Sequence, residues 1–154
     1  CNDLEFCYET LVNYVTAKGV NNGVLEIVNL RNQNKIEKPN LITIASNGSV
    51  GSVFFQNFYF VVSGDILVFE PKKEGGIDEY IGIFLKTVMD REKYKYSYGV
   101  KPGLDRVKKT TIQLPVDEEG LVNWDFMREY VKSLPMAIFL DLLDSGIDIN
   151  YSEW

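Results

Sequence analysis

Three stretches of the sequence hold side chains whose types and spacing could do chemistry. The first is Asp65-x4-Glu70-x-Lys72, two acids and a lysine in the order used by metal-dependent nucleases. Strand geometry argues against that use. Ile66–Phe69 between the acids reads as a strand. Residues five apart on a regular strand point to opposite faces and lie about 17 Å apart. A Mg²⁺ ion needs its ligands within about 2 Å. The acids therefore read as solvated strand ends.

The second stretch is glycine-rich, Ser46-Asn47-Gly48-Ser49-Val50-Gly51-Ser52. It lacks the Gly-Lys-Ser/Thr ending of a nucleotide-binding loop. The residues after it, Val53–Gln56, read as a strand, so no helix N-terminus faces a phosphate. Two readings stay open. It is a tight strand-to-strand turn, or its Ser, Asn and backbone N–H groups meet DNA phosphates or base edges.

The third stretch is basic. Residues 86–109 carry 8 positive and 3 negative groups, net +5, while residues 1–85 are net −4 and residues 110–154 net −7. The whole chain is net −6, which by itself argues against nucleic acid. One basic face can nonetheless meet phosphates while the others stay acidic. Lys93-Tyr94-Lys95-Tyr96 would put lysines on one side and rings on the other if extended. Lysine attracts phosphate without regard to sequence, and tyrosine bonds phosphate or packs on sugar. The plainer alternative is a solvated loop with core tyrosines.

Composition removes much else. The 154 residues include no histidine, which excludes Ser–His and Cys–His nucleophile pairs and His-ligated zinc. Cys1 and Cys7 are too few for a disulfide framework or a zinc site. No apolar run of 18 residues and no basic-then-apolar leader occurs, so a cytoplasmic protein is expected. A chain beginning at Cys1 rather than Met reads as a fragment. No cofactor, metal or small-molecule substrate is expected.

The elements that must position these groups are short. Asn13–Thr16 and Val24–Val28 read as strands around the Asn22-Gly23 turn, where both residues tolerate positive φ. Arg31–Asn40 is a polar loop. Leu41–Ala45 is a buried strand, and Val53–Gln56, Tyr59–Val62 and Ile66–Phe69 are further strands. Apolar residues at 77, 80, 81, 84, 85 and 88 predict a helix over Ile77–Asp90. Lys93–Lys109 reads mostly as loop and Thr111–Val116 as a strand. Asp117–Gly120 is a turn, and Asn123 caps a helix from Trp124 to about Leu134. Pro135 ends or kinks it, and Ala137–Leu143 reads as a second helical piece. The expected fold class is α+β: a single compact, sheet-rich mixed domain with two or three helices, mostly in the second half.

Three segments in order resemble a known family. They are Tyr14-Val15-Thr16-Ala17-Lys18-Gly19-Val20-Asn21-Asn22-Gly23-Val24, then the run from Leu41 through the glycine-rich loop to Phe54-Phe55-Gln56, then Tyr98-Gly99 with Ile112-Gln113-Leu114-Pro115-Val116, Val122-Asn123-Trp124-Asp125-Phe126-Met127 and Tyr130-Val131. This order resembles the target recognition domains of restriction–modification specificity subunits, both those of type I systems and those of fused restriction–methylation enzymes. The likeness spans roughly residues 11–134.

The resemblance implies a non-catalytic domain that reads double-stranded DNA in the major groove. It implies an adenine methyltransferase and an endonuclease on other chains or other parts of the polypeptide. The methyltransferase motif Asp/Asn-Pro-Pro-Tyr/Phe is absent here. Residues 1–134 would be the recognition domain and 135–154 an extension packed on it or leading elsewhere. The implied DNA contacts are Lys18, Asn21 and Asn22 in the first loop and Ser46, Asn47 and Ser49 in the second. Lys95, Tyr96, Ser97, Lys101 and Arg106 would come from the basic stretch. A β-rich protein- or glycan-binding module with no nucleic-acid role is the alternative.

Overall fold

The computed structural model describes residues 11–29, 35–96, 99 and 102–143. Six strands come first: β1 (Leu11–Val15), β2 (Val24–Asn29), β3 (Leu41–Ala45), β4 (Val53–Gln56), β5 (Phe60–Val62) and β6 (Ile66–Phe69). Four helices follow: α1 (Glu79–Arg91), α2 (Leu104–Lys109), α3 (Trp124–Lys132) and α4 (Met136–Leu143). The class is α+β, with the described α-helices all in the second half and one more of them than the two or three expected.

The strands form two three-stranded sheets. In the first, β1 lies between β2, antiparallel to it, and β5, parallel to it. In the second, β3 lies between β4 and β6, antiparallel to both. All five residues of β3 are buried, as are all four of β4. A strand with no polar face must be covered on both sides. Here Ile42, Ile44, Val53 and Phe55 pack with Ile81 and Leu85 of α1 and Met127 of α3. From the other face, Leu41 joins Val15 and Phe60 of the first sheet. The order of layers is sheet, sheet, helices.

Strand alternation carries this division through β6, where Leu67 and Phe69 serve the helical side and Ile66 and Val68 the sheet side. Gly82 lets α1 approach β4 closely, since a Cβ there would stand 2.4 Å from the Phe55 ring. Asp78 caps α1 by accepting from the Ile81 N–H at 3.0 Å and also pairs with Arg128 of α3. Burial works to raise the Asp78 carboxyl. The Ile81 N–H and the Arg128 guanidinium outweigh it and hold the group below its ordinary value. Asn123 caps α3 as expected, accepting from Phe126 N–H at 2.9 Å.

Two expectations are corrected. Thr111–Val116 forms no strand. It makes only an isolated bridge from Val116 to Val122. Ile112 and Leu114 are half-buried and Thr111 and Gln113 exposed, so the alternation exists without a neighbouring strand to pair with. The basic stretch is also less loop-like than expected. Glu92–Lys95 continues α1 as a 3₁₀ turn, so its lysines and tyrosines do not alternate in an extended ribbon, and α2 occupies Leu104–Lys109. α4 packs Phe139 against Tyr80 of α1, ring centroids 5.7 Å apart. Residues 1–10, both cysteines included, and 144–154 lie outside the described residues.

Candidate nucleic-acid interface

The first loop makes an unusual turn. Asn21, Asn22 and Gly23 all have positive φ, at 52°, 53° and 74°. Single left-handed residues are common at turns, but three in succession are costly for residues with a Cβ, and asparagine tolerates the conformation better than most. The turn is closed at its base by Thr16 N–H donating to Gly23 O at 2.8 Å. A Cβ at Gly23 would press on Thr16 O at 3.2 Å and Val15 at 3.3 Å. The chain enters β2 directly from this turn.

Asn22 turns inward. Its Nδ2 donates to Phe55 O at 3.0 Å and to Gln56 Oε1 at 3.3 Å. Gln56 Nε2 answers by donating to Asn22 O at 3.0 Å and to Thr43 Oγ1 at 3.0 Å. Gln56 is only 2% exposed. A reversed amide would set oxygen against oxygen at Asn22 O, so this network has one consistent orientation. Asn21, the neighbouring residue, is exposed.

The second loop packs against the first through backbone. Ser49 N–H donates to Ala17 O at 3.0 Å. A Cβ at Gly48, whose φ is +59°, would sit 2.7 Å from that same carbonyl, and one at Gly19 would sit 2.8 Å from Ser49 Oγ. The loop is closed on itself by Ala45 N–H to Ser52 O at 3.0 Å and Gly51 N–H to Ala45 O at 2.8 Å. Ser46 ties it to the turn before β6, its Oγ donating to Asp65 O at 2.9 Å.

The basic segment reaches this pair of loops from α1. Lys93 Nζ donates to Ser52 Oγ at 2.8 Å. Gly51, at φ +79°, leaves room for the Tyr96 ring, since a Cβ would stand 3.0 Å from it. Asp90 Oδ1 accepts from Val53 N–H at 3.3 Å, fixing the start of β4 to α1. On the same helix, burial pulls the Lys86 ammonium below its ordinary pKa, with Asp90 working in the opposite direction. Tyr96 Oη shares a hydrogen bond with Thr110 Oγ1 at 2.9 Å, and Thr110 caps the end of α2.

The structure thus brings Lys18, Asn21, Asn22, Ser46, Asn47 and Ser49 onto adjoining loops, with Tyr96 beside them. Lys95 is exposed and paired with Glu92, whose hydrogen bond raises the Lys95 pKa. Arg106 is exposed on α2, one turn before Thr110. Ser97 and Lys101 lie outside the described residues. The acids of the nuclease-like triplet do not form a site. Glu70 pairs with Lys38, and among the described residues no group of three Asp, Glu, Cys or His gathers to hold a metal.

Sequence reasoning did not single out Gln56, Asp90 or Lys93 as individual residues. The signal for Gln56 was present: a polar residue ending a strand that is otherwise wholly apolar. Lys108 and Lys109 on α2 are likewise exposed cations beside Arg106.

A family model for the type I restriction modification DNA specificity domain matches residues 2–137. The chain belongs to this family. It is also 28% identical over 120 residues to the specificity subunit S.BcgI of a type II restriction enzyme from Heyndrickxia coagulans. That alignment covers 78% of the chain but 34% of the relative, so the chain spans about a third of the relative's length. No solved structure matches the chain. No helix of the described residues is long and apolar enough to cross a membrane.

Proposed function

We propose that the two adjoining loops and the basic segment read a short sequence of double-stranded DNA, and that the domain does no chemistry itself. The observation that carries this reading is the convergence of loop 16–23, loop 46–52 and the Lys93–Tyr96 turn in a chain of the DNA specificity family. Asn21 presents an amide suited to the N6/N7 edge of adenine, and Lys18 a donor suited to O6/N7 of guanine. Each good contact of that kind discriminates by about 1–3 kcal/mol. Asn47 and Ser49 serve the second loop. Lys95, Arg106, Ser97, Lys101 and Tyr96 supply phosphate contacts that hold the register. Ser46 and Asn22 support the loops from within.

In this reading an adenine methyltransferase and an endonuclease, on partner chains or other parts of the polypeptide, act on the site that the domain selects. The family membership favours this over a β-rich protein- or glycan-binding module. The test is binding of the chain to fluorescent duplex pools at rising salt. The expected result is a preferred sequence and an affinity that falls linearly on logarithmic axes, with a slope of about −0.9 per phosphate neutralised. Binding that ignores salt, or no duplex binding at all, would overturn the reading.

A further inference from the structure

The left-handed turn at 21–23 needs something to hold it. Backbone in sparsely populated regions persists only where its surroundings over-determine it. Here the surroundings are the Thr16–Gly23 backbone bond and a buried side chain with its neighbours. Gln56 sits at the end of β4, opposite Leu41 in the register, and Thr43 lies diagonally across on the same sheet face. That face looks toward the first sheet, where the Phe54 ring lies 3.4 Å from the position of a Gly23 Cβ. Gln56 therefore stands between two layers and bonds both: Thr43 Oγ1 in its own sheet and Asn22 O in the turn above. Asn22 Nδ2 returns the bond to Gln56 Oε1 and adds Phe55 O. Both polar atoms of the buried Gln56 amide have partners, as a buried group requires.

We infer that Gln56 is a positioning residue for target readout: its amide clasps Asn22 and thereby sets the direction in which Asn21 meets the duplex. This rests on the DNA-reading role proposed above. Gln56 makes no contact with DNA in this account. It acts through Asn22, whose side chain is occupied inward so that only Asn21 of the pair faces out. A base contact depends on placement to a fraction of an ångström. A loosened turn would keep the charge of the surface and lose its aim.

The experiment separates aim from attraction. Binding of the chain, as wild type, Gln56→Leu, Gln56→Glu and Asn22→Gly, is measured on a preferred duplex and on scrambled duplexes, with thermal unfolding alongside. Gln56→Leu fills the site with a somewhat larger apolar side chain and removes the amide. Gln56→Glu keeps an acceptor for Asn22 Nδ2 and removes the donor to Asn22 O. Asn22→Gly keeps the positive φ and removes the side-chain half of the clasp. The expected result is a preferred-to-scrambled ratio reduced by about tenfold or more in Gln56→Leu, Gln56→Glu and Asn22→Gly. Affinity for scrambled duplex should stay within about twofold, because the phosphate-facing cations are untouched. The double variant should lose no more than the worse single one, since the two residues act as a unit.

A folded Gln56→Leu that keeps the wild-type ratio would overturn the inference. So would losses in Gln56→Leu and Asn22→Gly that simply add. If Gln56→Leu fails to fold, Asn22→Gly and Gln56→Glu decide by the same ratio. A wild-type chain that binds duplexes without preference overturns the DNA-reading role itself, and is told apart because no variant is needed to see it.

Discussion

The two loops and the basic segment meet at one end of the molecule but are held in different ways. Loops 16–23 and 46–52 are built from backbone bonds, glycines at positive φ and a buried amide network. The Lys93–Lys109 segment is fastened by side chains, Lys93 to Ser52 and Tyr96 to Thr110, at distances of 2.8 and 2.9 Å. The first arrangement fixes direction closely. The second fixes location and leaves Arg106, Lys108 and Lys109 exposed. Base edges demand aim, whereas phosphates need only proximity, and under the proposed function the two kinds of construction match that division.

Four substitutions break or sharpen this contrast. The largest effect is expected for Gly48→Ala. Its Cβ would collide with Ala17 O, and alanine would be strained at φ +59°. The left-handed cost and the overpacking together predict a loss of about 2–4 kcal/mol in denaturant unfolding, with weakened sequence preference. Next is Asp78→Ala, in the α1–α3 frame that both regions share, where removal of the cap should cost about 1–2 kcal/mol. Because the Asp78 carboxyl is held below its ordinary value, its contribution is complete above about pH 4 and is lost as acid protonates it through that lowered pKa. The variant should therefore show a shallower fall of stability in acid, measured by unfolding across a pH series.

Smaller again is Tyr96→Phe, which removes the bond to Thr110 and should cost about 1 kcal/mol in unfolding while leaving the preferred sequence unchanged. The smallest is Gly99→Ala. This exposed glycine has none of the described residues within 4 Å of an added Cβ, so the change should stay within about 0.5 kcal/mol. Equal costs at Gly48 and Gly99 would dissolve the contrast.

The sequence made the closely aimed region easier to read than the loosely fastened one. The short run at Leu41–Ala45, apolar but for Thr43, reads as a strand covered on both faces. Asn-Gly and Gly-rich punctuation marks the turns on either side of it. The extension of left-handed backbone to Asn21 was not legible, because the turn is held by bonds from outside it, among them those of Asn22 to Gln56, 34 residues further on. α2 escaped notice for another reason. Six residues give too little periodicity, and short helices depend on tertiary contacts for their existence. Thr111–Val116 misled in the opposite direction, since alternation reports a half-buried extended segment and says nothing of whether a partner strand is there. The residues proposed to meet DNA were legible as polar groups on loops. Which of them face outward was not, because Asn21 and Asn22 are chemically identical and differ only in what packs beside them.

The bond from Ser49 to Ala17, and those that close the second loop on Ala45, run between main-chain atoms alone. Such bonds are indifferent to the letter written at each tip. Apart from glycines whose Cβ would intrude, the outward positions can change chemistry while the frame keeps its shape. Under the proposed function, altered specificity then needs only a few substitutions at the rim, with no repacking underneath. The fold works as a fixed holder for exchangeable type.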